Sequence, residues 1–398
     1  MLTINKPRTT LLFFVVCCFA NIAAALLIHF IGPSASVAIA LKDIALFSII
    51  ALSLVAFRVN HKDIIYISLI AAYAAVFLII SANNETPPIA ALSGLRQIIT
   101  VFLIISLGAL LSSKTKTTQE NTIKHILAVG VIIASIGVIE RFTHLWSPFI
   151  REYFELKNIG VLSIGYPFVL IEPLPVFNEF NGVTGFLRAS STFLDPVNFG
   201  HAMVFWFFLS SIMGLKRLKY LFLLSVIISF SKAAIFQLIL IALYRSRISF
   251  ALKISLCLAA TVIGLTFIAT HAGFDSHFRG LVNSIGSLSV FGKGLGEAGN
   301  VSAMYATNDS GIGDSFIGAL IGQVGIAGTL IWSILLAYQL KQALTINSTI
   351  PLILITQVAL GFLSENSFNF LSIMPAAFFC GYIARSKTPI QALNMPSN

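Results

Sequence analysis

Long apolar runs alternate with short polar ones along most of the chain, and twelve of the runs read as helical spans. They cover residues 11–31, 37–57, 64–81, 89–111, 123–139, 196–213, 218–230, 233–244, 252–270, 315–340, 350–363 and 370–384. A helix rises about 1.5 Å per residue, so about 20 residues cross a hydrocarbon core of about 30 Å. Two neighbouring runs fall well short. Leu218 to Phe230 and Ala233 to Tyr244, each about 13 residues or roughly 20 Å of helix, predict a hairpin with its tip, Ser229-Phe230-Ser231-Lys232, inside the membrane. The string Leu363-Ser364-Glu365-Asn366-Ser367 likewise interrupts an apolar stretch from Ile350 to Ala384.

Two polar stretches are too long to be simple connections. The first, 140–195, is rich in aromatic residues and proline and predicts an interfacial helix around Pro148 to Lys157. It ends in FLRASSTFLDPVNFGH, Phe186 to His201, which gathers Arg188, Asp195, Asn198 and His201 at the start of an apolar run. Asp195 directly before Pro196 reads as a helix N-cap, and His201 reads first as a hydrogen-bonded histidine near a helix start. The second stretch, 271–314, carries Arg279, then FGKGLGEAGN (Phe291 to Asn300) with Lys293, then Asp309 and Asp314. The glycine-rich segment lacks P-loop spacing and a strand-to-helix context. It reads as a close backbone approach to a substrate, a tight turn, or a flexible loop.

Composition sets the class. With 57% apolar residues, 10% charged and a mean hydropathy of +0.93, the chain is expected to be a single all-α, multi-pass membrane domain over residues 1–398. A soluble fold is excluded. Lys6 and Arg8 precede an apolar run that is too long for a signal-peptide core and reads as the first span. Cys17, Cys18, Cys257 and Cys380 lie within apolar runs, with no spacing that indicates a metal or a disulfide framework.

Charge orients the spans. With the N-terminus in the cytoplasm, sixteen of the 25 Lys and Arg residues fall in cytoplasmic connections and both termini share that side. The other nine, among them Arg96, Arg188, Lys232, Arg279 and Lys293, fall on or near the far face, as do 13 of the 15 acidic residues. Basic residues placed against the positive-inside bias point to an anionic, phosphorylated ligand there. The alternative for any one of them is a solvated loop surface, and for Lys232 a helix-end side chain reaching to the interface. The net charge of +10 requires no nucleic acid, because attraction of the inner face to anionic membrane lipid accounts for it together with the far-side phosphate contacts.

The order of these features resembles the superfamily of O-antigen ligases and Wzy-type polysaccharide polymerases, membrane glycosyltransferases with a GT-C-like fold. The resemblance rests on Arg188 followed by Phe193-Leu194-Asp195-Pro196-Val197-Asn198, and on a short hairpin with Ser231-Lys232 where the family usually has Ser-Arg. It continues with Arg279, with Gly292-Lys293-Gly294-Leu295-Gly296, and with Asp314-Ser315-Phe316 leading to Val324-Gly325-Ile326-Ala327-Gly328. It covers roughly Arg188 to Gly328; the rest agrees only in span count. Ligases typically carry a histidine where this chain has Gly313-Asp314, which suits a polymerase better.

The resemblance implies a cofactor-free, metal-independent polymerase in a bacterial inner membrane, with its active site facing the periplasm. Donor and acceptor would both be undecaprenyl-pyrophosphate-linked oligosaccharides, with a chain-length regulator as a further partner. Arg188 and Arg279 would clamp pyrophosphate, with Arg96 and Lys232 behind them. Asp314 would be the general base, followed by Asp309 and Asp195. His201, Asn198, Lys293 and Glu365 complete the substrate-binding candidates. The alternatives are a ligase-type glycan transferase and a lipid-linked oligosaccharide flippase or transporter.

Overall fold

The structure is a computed structural model that describes residues 5–32, 41–56, 61–156, 169–170, 186–246, 248–249, 252, 255, 282–286, 288–300, 302, 315–362 and 364–386. The regular elements of the described chain are helices, apart from a two-residue antiparallel pairing of β1 (Val169–Leu170) with β2 (Phe186–Leu187). It folds as two compact units.

The first unit holds α1 (Lys6–Ile31), α2 (Leu41–Ala56), α5 (Lys116–Thr143), α6 (Arg151–Glu155), α7 (Pro196–Ile212) and α8 (Lys216–Ile228). Asn5 caps α1 by accepting the Arg8 amide. Helix α1 packs on α2 and α5, and α7 runs along α8. An unpaired donor inside this apolar packing is costly. The Trp206 indole donates to Ile126 O at 2.9 Å. The interfacial helix expected over Pro148 to Lys157 is confined to Arg151–Glu155, because the chain from His144 to Phe149 is spent on turns. Tyr153 and Phe154 of α6 bury themselves against Ile22, Ala25 and Ile28 of α1.

The second unit holds α3 (His61–Asn83), α4 (Pro88–Leu111), α10 (Phe316–Ile346), α11 (Thr349–Leu360) and α12 (Phe370–Ser386), and most of α9 (Lys232–Arg245). Trp332 donates to Ile98 O at 3.0 Å, Tyr66 to Leu335 O and Tyr73 to Gly328 O at 3.3 Å each. The polar interruption expected near Glu365 is a short 3-10 turn, Glu365–Phe368, between α11 and α12.

Helix α10 is broken at Gly325, which sits at φ 69, ψ −172. The break costs the bonds from the Ile326 and Ala327 amides to the Gly322 and Gln323 carbonyls. The segment 289–294 restores all four groups. Ile326 and Ala327 donate to Ser289 O and Val290 O at 3.1 and 3.0 Å, while Gly322 O and Gln323 O accept the Lys293 and Gly294 amides at 2.8 and 3.1 Å. Non-helical backbone is tolerated in an apolar medium only where protein satisfies it in this way. The glycine-rich segment thus approaches backbone closely, but the backbone is that of α10.

Among the described residues six helices are long and apolar enough to cross a membrane: α1, α3 from Asp63, α4, α5, α10, and α12 together with the preceding turn. Helices α2, α7 and α11 are apolar but shorter, with 16, 17 and 12 residues. Helices α8 and α9, with 13 and 14 residues, form the short pair expected from the sequence. The run 252–270 lies outside the described residues apart from 252 and 255.

Candidate functional site

Each unit contains a polar cluster that includes residues singled out in the sequence. In the first unit the chain from Arg188 to Asp195 is an irregular turn leading into α7, and it is anchored on several sides. The fully buried Glu140, at the end of α5, accepts the Ser190 amide at 2.9 Å and its hydroxyl at 2.8 Å, and also accepts the Ser191 amide. Ser191 Oγ donates to Ile133 O, Thr192 Oγ1 to Cys18 O, and Asn21 Nδ2 of α1 to Phe193 O, at 2.7 to 2.8 Å.

Arg188 leaves this anchored turn toward the tip, residues 229–231, that joins α8 to the start of α9. Its Nε donates to Ser229 O at 3.2 Å, and the next amide, Ala189, donates to Ile228 O at 3.0 Å. The tip closes itself: Ser229 Oγ donates to Val226 O and accepts the Ser231 amide, while Ser231 Oγ accepts the Ala234 amide and so caps α9. Gly200 of α7 lies against the tip, and a side chain there would meet Ser229, Ser231 and Ala234. Burial pulls the Arg188 guanidinium below its ordinary pKa, and the charge on Asp195 acts in the opposite sense.

Asp195 is the N-cap of α7. Its Oδ1 accepts the Val197 and Asn198 amides at 2.7 and 3.1 Å. Asn198 and His201 are buried in the first two turns of that helix, whereas Lys232 at the start of α9 is exposed. Ser191, Leu194 and Phe230 all hold positive φ, 52, 55 and 46 degrees. Left-handed backbone costs a non-glycine residue about 1–3 kcal/mol and persists where the surroundings impose it.

The second cluster surrounds Glu365. Its Oε1 accepts from Gln97 Nε2 at 2.7 Å and its Oε2 from the Asn300 amide at 3.0 Å. Gln323, two residues before the α10 break, accepts the Gly296 amide at 3.0 Å and donates to Ala298 O at 3.0 Å. The glycine-rich segment is therefore bound to the protein on both sides. Arg96 is half-buried beside Gln97 on α4, and Lys293 is exposed with its carbonyl taken by Asn84 Nδ2 at 2.8 Å.

Arg279, Asp309 and Asp314 lie outside the described residues. Among the described residues no three His, Cys, Asp or Glu side chains gather as a metal ion would require. Glu140, Gln97 and Gln323 were not singled out by the sequence reading. Their signal was there: each is a charge or an amide within or at the end of an apolar span, and such groups need a partner.

No family model matches the chain, and no curated protein matches its sequence.

Proposed function

We propose that the protein is a multi-pass membrane glycosyltransferase that extends a surface polysaccharide by joining polyprenyl-pyrophosphate-linked repeat units. One observation carries the reading. The two parts of the resemblance that fall among the described residues of the first unit, the Arg188-to-Asn198 turn and the Ser231-Lys232 hairpin, are in direct hydrogen-bonded contact through Arg188 and Ala189. With Nε bonded to Ser229 O, the Nη edge of the Arg188 guanidinium is the part this reading assigns to a ligand. That edge suits two phosphate oxygens. The left-handed residues on both sides of the contact are the kind of imposed backbone that accompanies ligand sites.

In this reading an acceptor hydroxyl oxygen attacks the anomeric carbon of the donor. The bond from that carbon to the pyrophosphate oxygen breaks, and its electron pair leaves with pyrophosphate. Arg188 stabilises the charge that develops, a role assigned also to Arg279 from the order of motifs. Asp314 receives the hydroxyl proton, with Asp309 as the second candidate, and Asp195 positions α7 as its cap. Twelve spans, cytoplasmic termini and a periplasmic site belong to the same proposal, which draws on the charge distribution along the chain.

A transporter is the second reading, and the break in α10 favours it, because discontinuous helices are a transporter feature. Here the backbone groups freed by the break are bonded to 289–294 rather than left for a solute. The two readings separate in cells deprived of this chain, examined for lipid-linked glycan on the outer leaflet. Single repeats that reach the outer leaflet but remain unjoined fit the polymerase. Absence of outer-leaflet glycan fits the transporter, and full-length polymer that stays on its lipid carrier fits a ligase.

A further inference from the structure

At the end of the first unit where α1 and α5 begin there is a cavity of about 620 Å³, lined by Asn5, Lys6, Arg8, Thr118, Asn121 and His125 among others. Its walls carry a guanidinium, an ammonium and an imidazole and no carboxylate. The Lys6 ammonium is held there, donating to Leu110 O at 2.9 Å and Ser112 O at 2.6 Å. His125 Nδ1 lies 3.3 Å from Pro7 O, tying α5 to the start of α1 across the cavity. Arg8 is exposed, as is Asn121.

The surroundings reinforce that charge. Lys114, Lys116 and Lys124 lie on or just before the first turns of α5, and Glu120 in the same stretch is 3.9 Å from the Lys116 ammonium. Helix α5 also starts at Thr115 with no side-chain cap, unlike α1 and α7, so its positive end is not offset by a capping oxygen where Thr118 enters the wall.

We propose that this cavity binds a phosphate group. The guanidinium fork of Arg8 fits two phosphate oxygens, Thr118 and Asn121 supply neutral donors, and the surrounding ammonium groups set a positive field in a partly enclosed space. Phosphate chemistry of this kind is offered both by the headgroup of an anionic lipid and by free inorganic phosphate. The proposal is independent of the transferase reading, because none of these residues belongs to that site.

The purified full chain in neutral detergent is titrated with short-chain phosphatidylglycerol and, separately, with inorganic phosphate, following the melting temperature. A ligand of the folded state raises it progressively with concentration. Arg8→Ala removes the fork, and Asn121→Asp adds a negative charge to the wall with no change of shape. Each is expected to weaken the response about tenfold in concentration, whereas Lys341→Ala, in the second unit, leaves it unchanged. A response to phosphatidylglycerol alone identifies a headgroup site, and a response to inorganic phosphate identifies a site for the free anion. The proposal is overturned if neither probe shifts the wild type, if both wall variants respond like the wild type, or if Lys341→Ala loses as much as they do.

Discussion

The Glu140 carboxylate takes both the amide and the hydroxyl of Ser190, fifty residues further along the chain, at 2.9 and 2.8 Å. With the Ser191 amide it collects three donors, two of them from backbone that neither helix nor strand satisfies. A buried carboxylate without such partners would be strongly destabilising; with them it becomes the anchor from which the Arg188 turn is suspended.

Removing that anchor strands the donors in a site that water does not reach. Glu140→Ala is expected to destabilise the purified protein by about 3 kcal/mol, the range for buried groups left unpaired. Glu140→Gln retains one acceptor oxygen and should lose less. Denaturant or thermal unfolding in detergent measures the difference, and equal stability of all three proteins would refute the anchoring role.

The break in α10 predicts a contrast between two glycines of similar φ. Gly325 has φ 69, and a Cβ there would overlap Gly292 N and Val290 O; Gly214 has φ 73 and nothing within 4 Å. Gly214→Ala should cost about 1 kcal/mol of backbone strain. Gly325→Ala adds a steric clash of about 1–3 kcal/mol to a similar strain and should also expel the 289–294 segment. Faster amide exchange at Lys293 and Gly294 in the second variant only is the expected signature.

These elements also mark the limits of the sequence reading. The two short helices α8 and α9, the turn at Glu365 and the Asp195 cap were legible, because length, polarity and an Asp-Pro pair report locally. The bracing of the Arg188 turn was not, since Glu140 and Ser190 become neighbours only through the packing of α5. The break at Gly325 was hidden for a related reason: Val324-Gly325-Ile326 reads as ordinary apolar helix, and its replacement partners lie some thirty residues earlier. Arg279, Asp309 and Asp314 remain assignments from motif order, being outside the described residues.

Acid should loosen α6 from α1. Glu152 Oε2 lies 3.3 Å from His29 Nδ1, and the Glu152 pKa is lowered, first by hydrogen bonding to its own backbone amide; burial opposes this, and His29 and Arg151 lower it further. A carboxyl with a depressed folded pKa stabilises above its ordinary range, and the stabilisation is lost as pH falls through the folded value. Amide exchange in Arg151–Glu155, corrected for its intrinsic pH dependence, should therefore be flat near neutrality and rise below about pH 4.5. A Glu152→Gln variant should show the looser behaviour at every pH.

The most direct test concerns Arg188. The purified protein and its Arg188→Ala and Arg188→Lys variants are supplied with polyprenyl-pyrophosphate-linked repeat units, and the rate of chain extension is measured after unfolding curves establish that all three are folded. If Arg188 stabilises the departing pyrophosphate, the alanine variant should lose about 100-fold to 1,000-fold in kcat. Lysine should recover only part of it, since it restores the charge without the two-pronged geometry. Extension by Arg188→Ala at the wild-type rate would contradict the assignment.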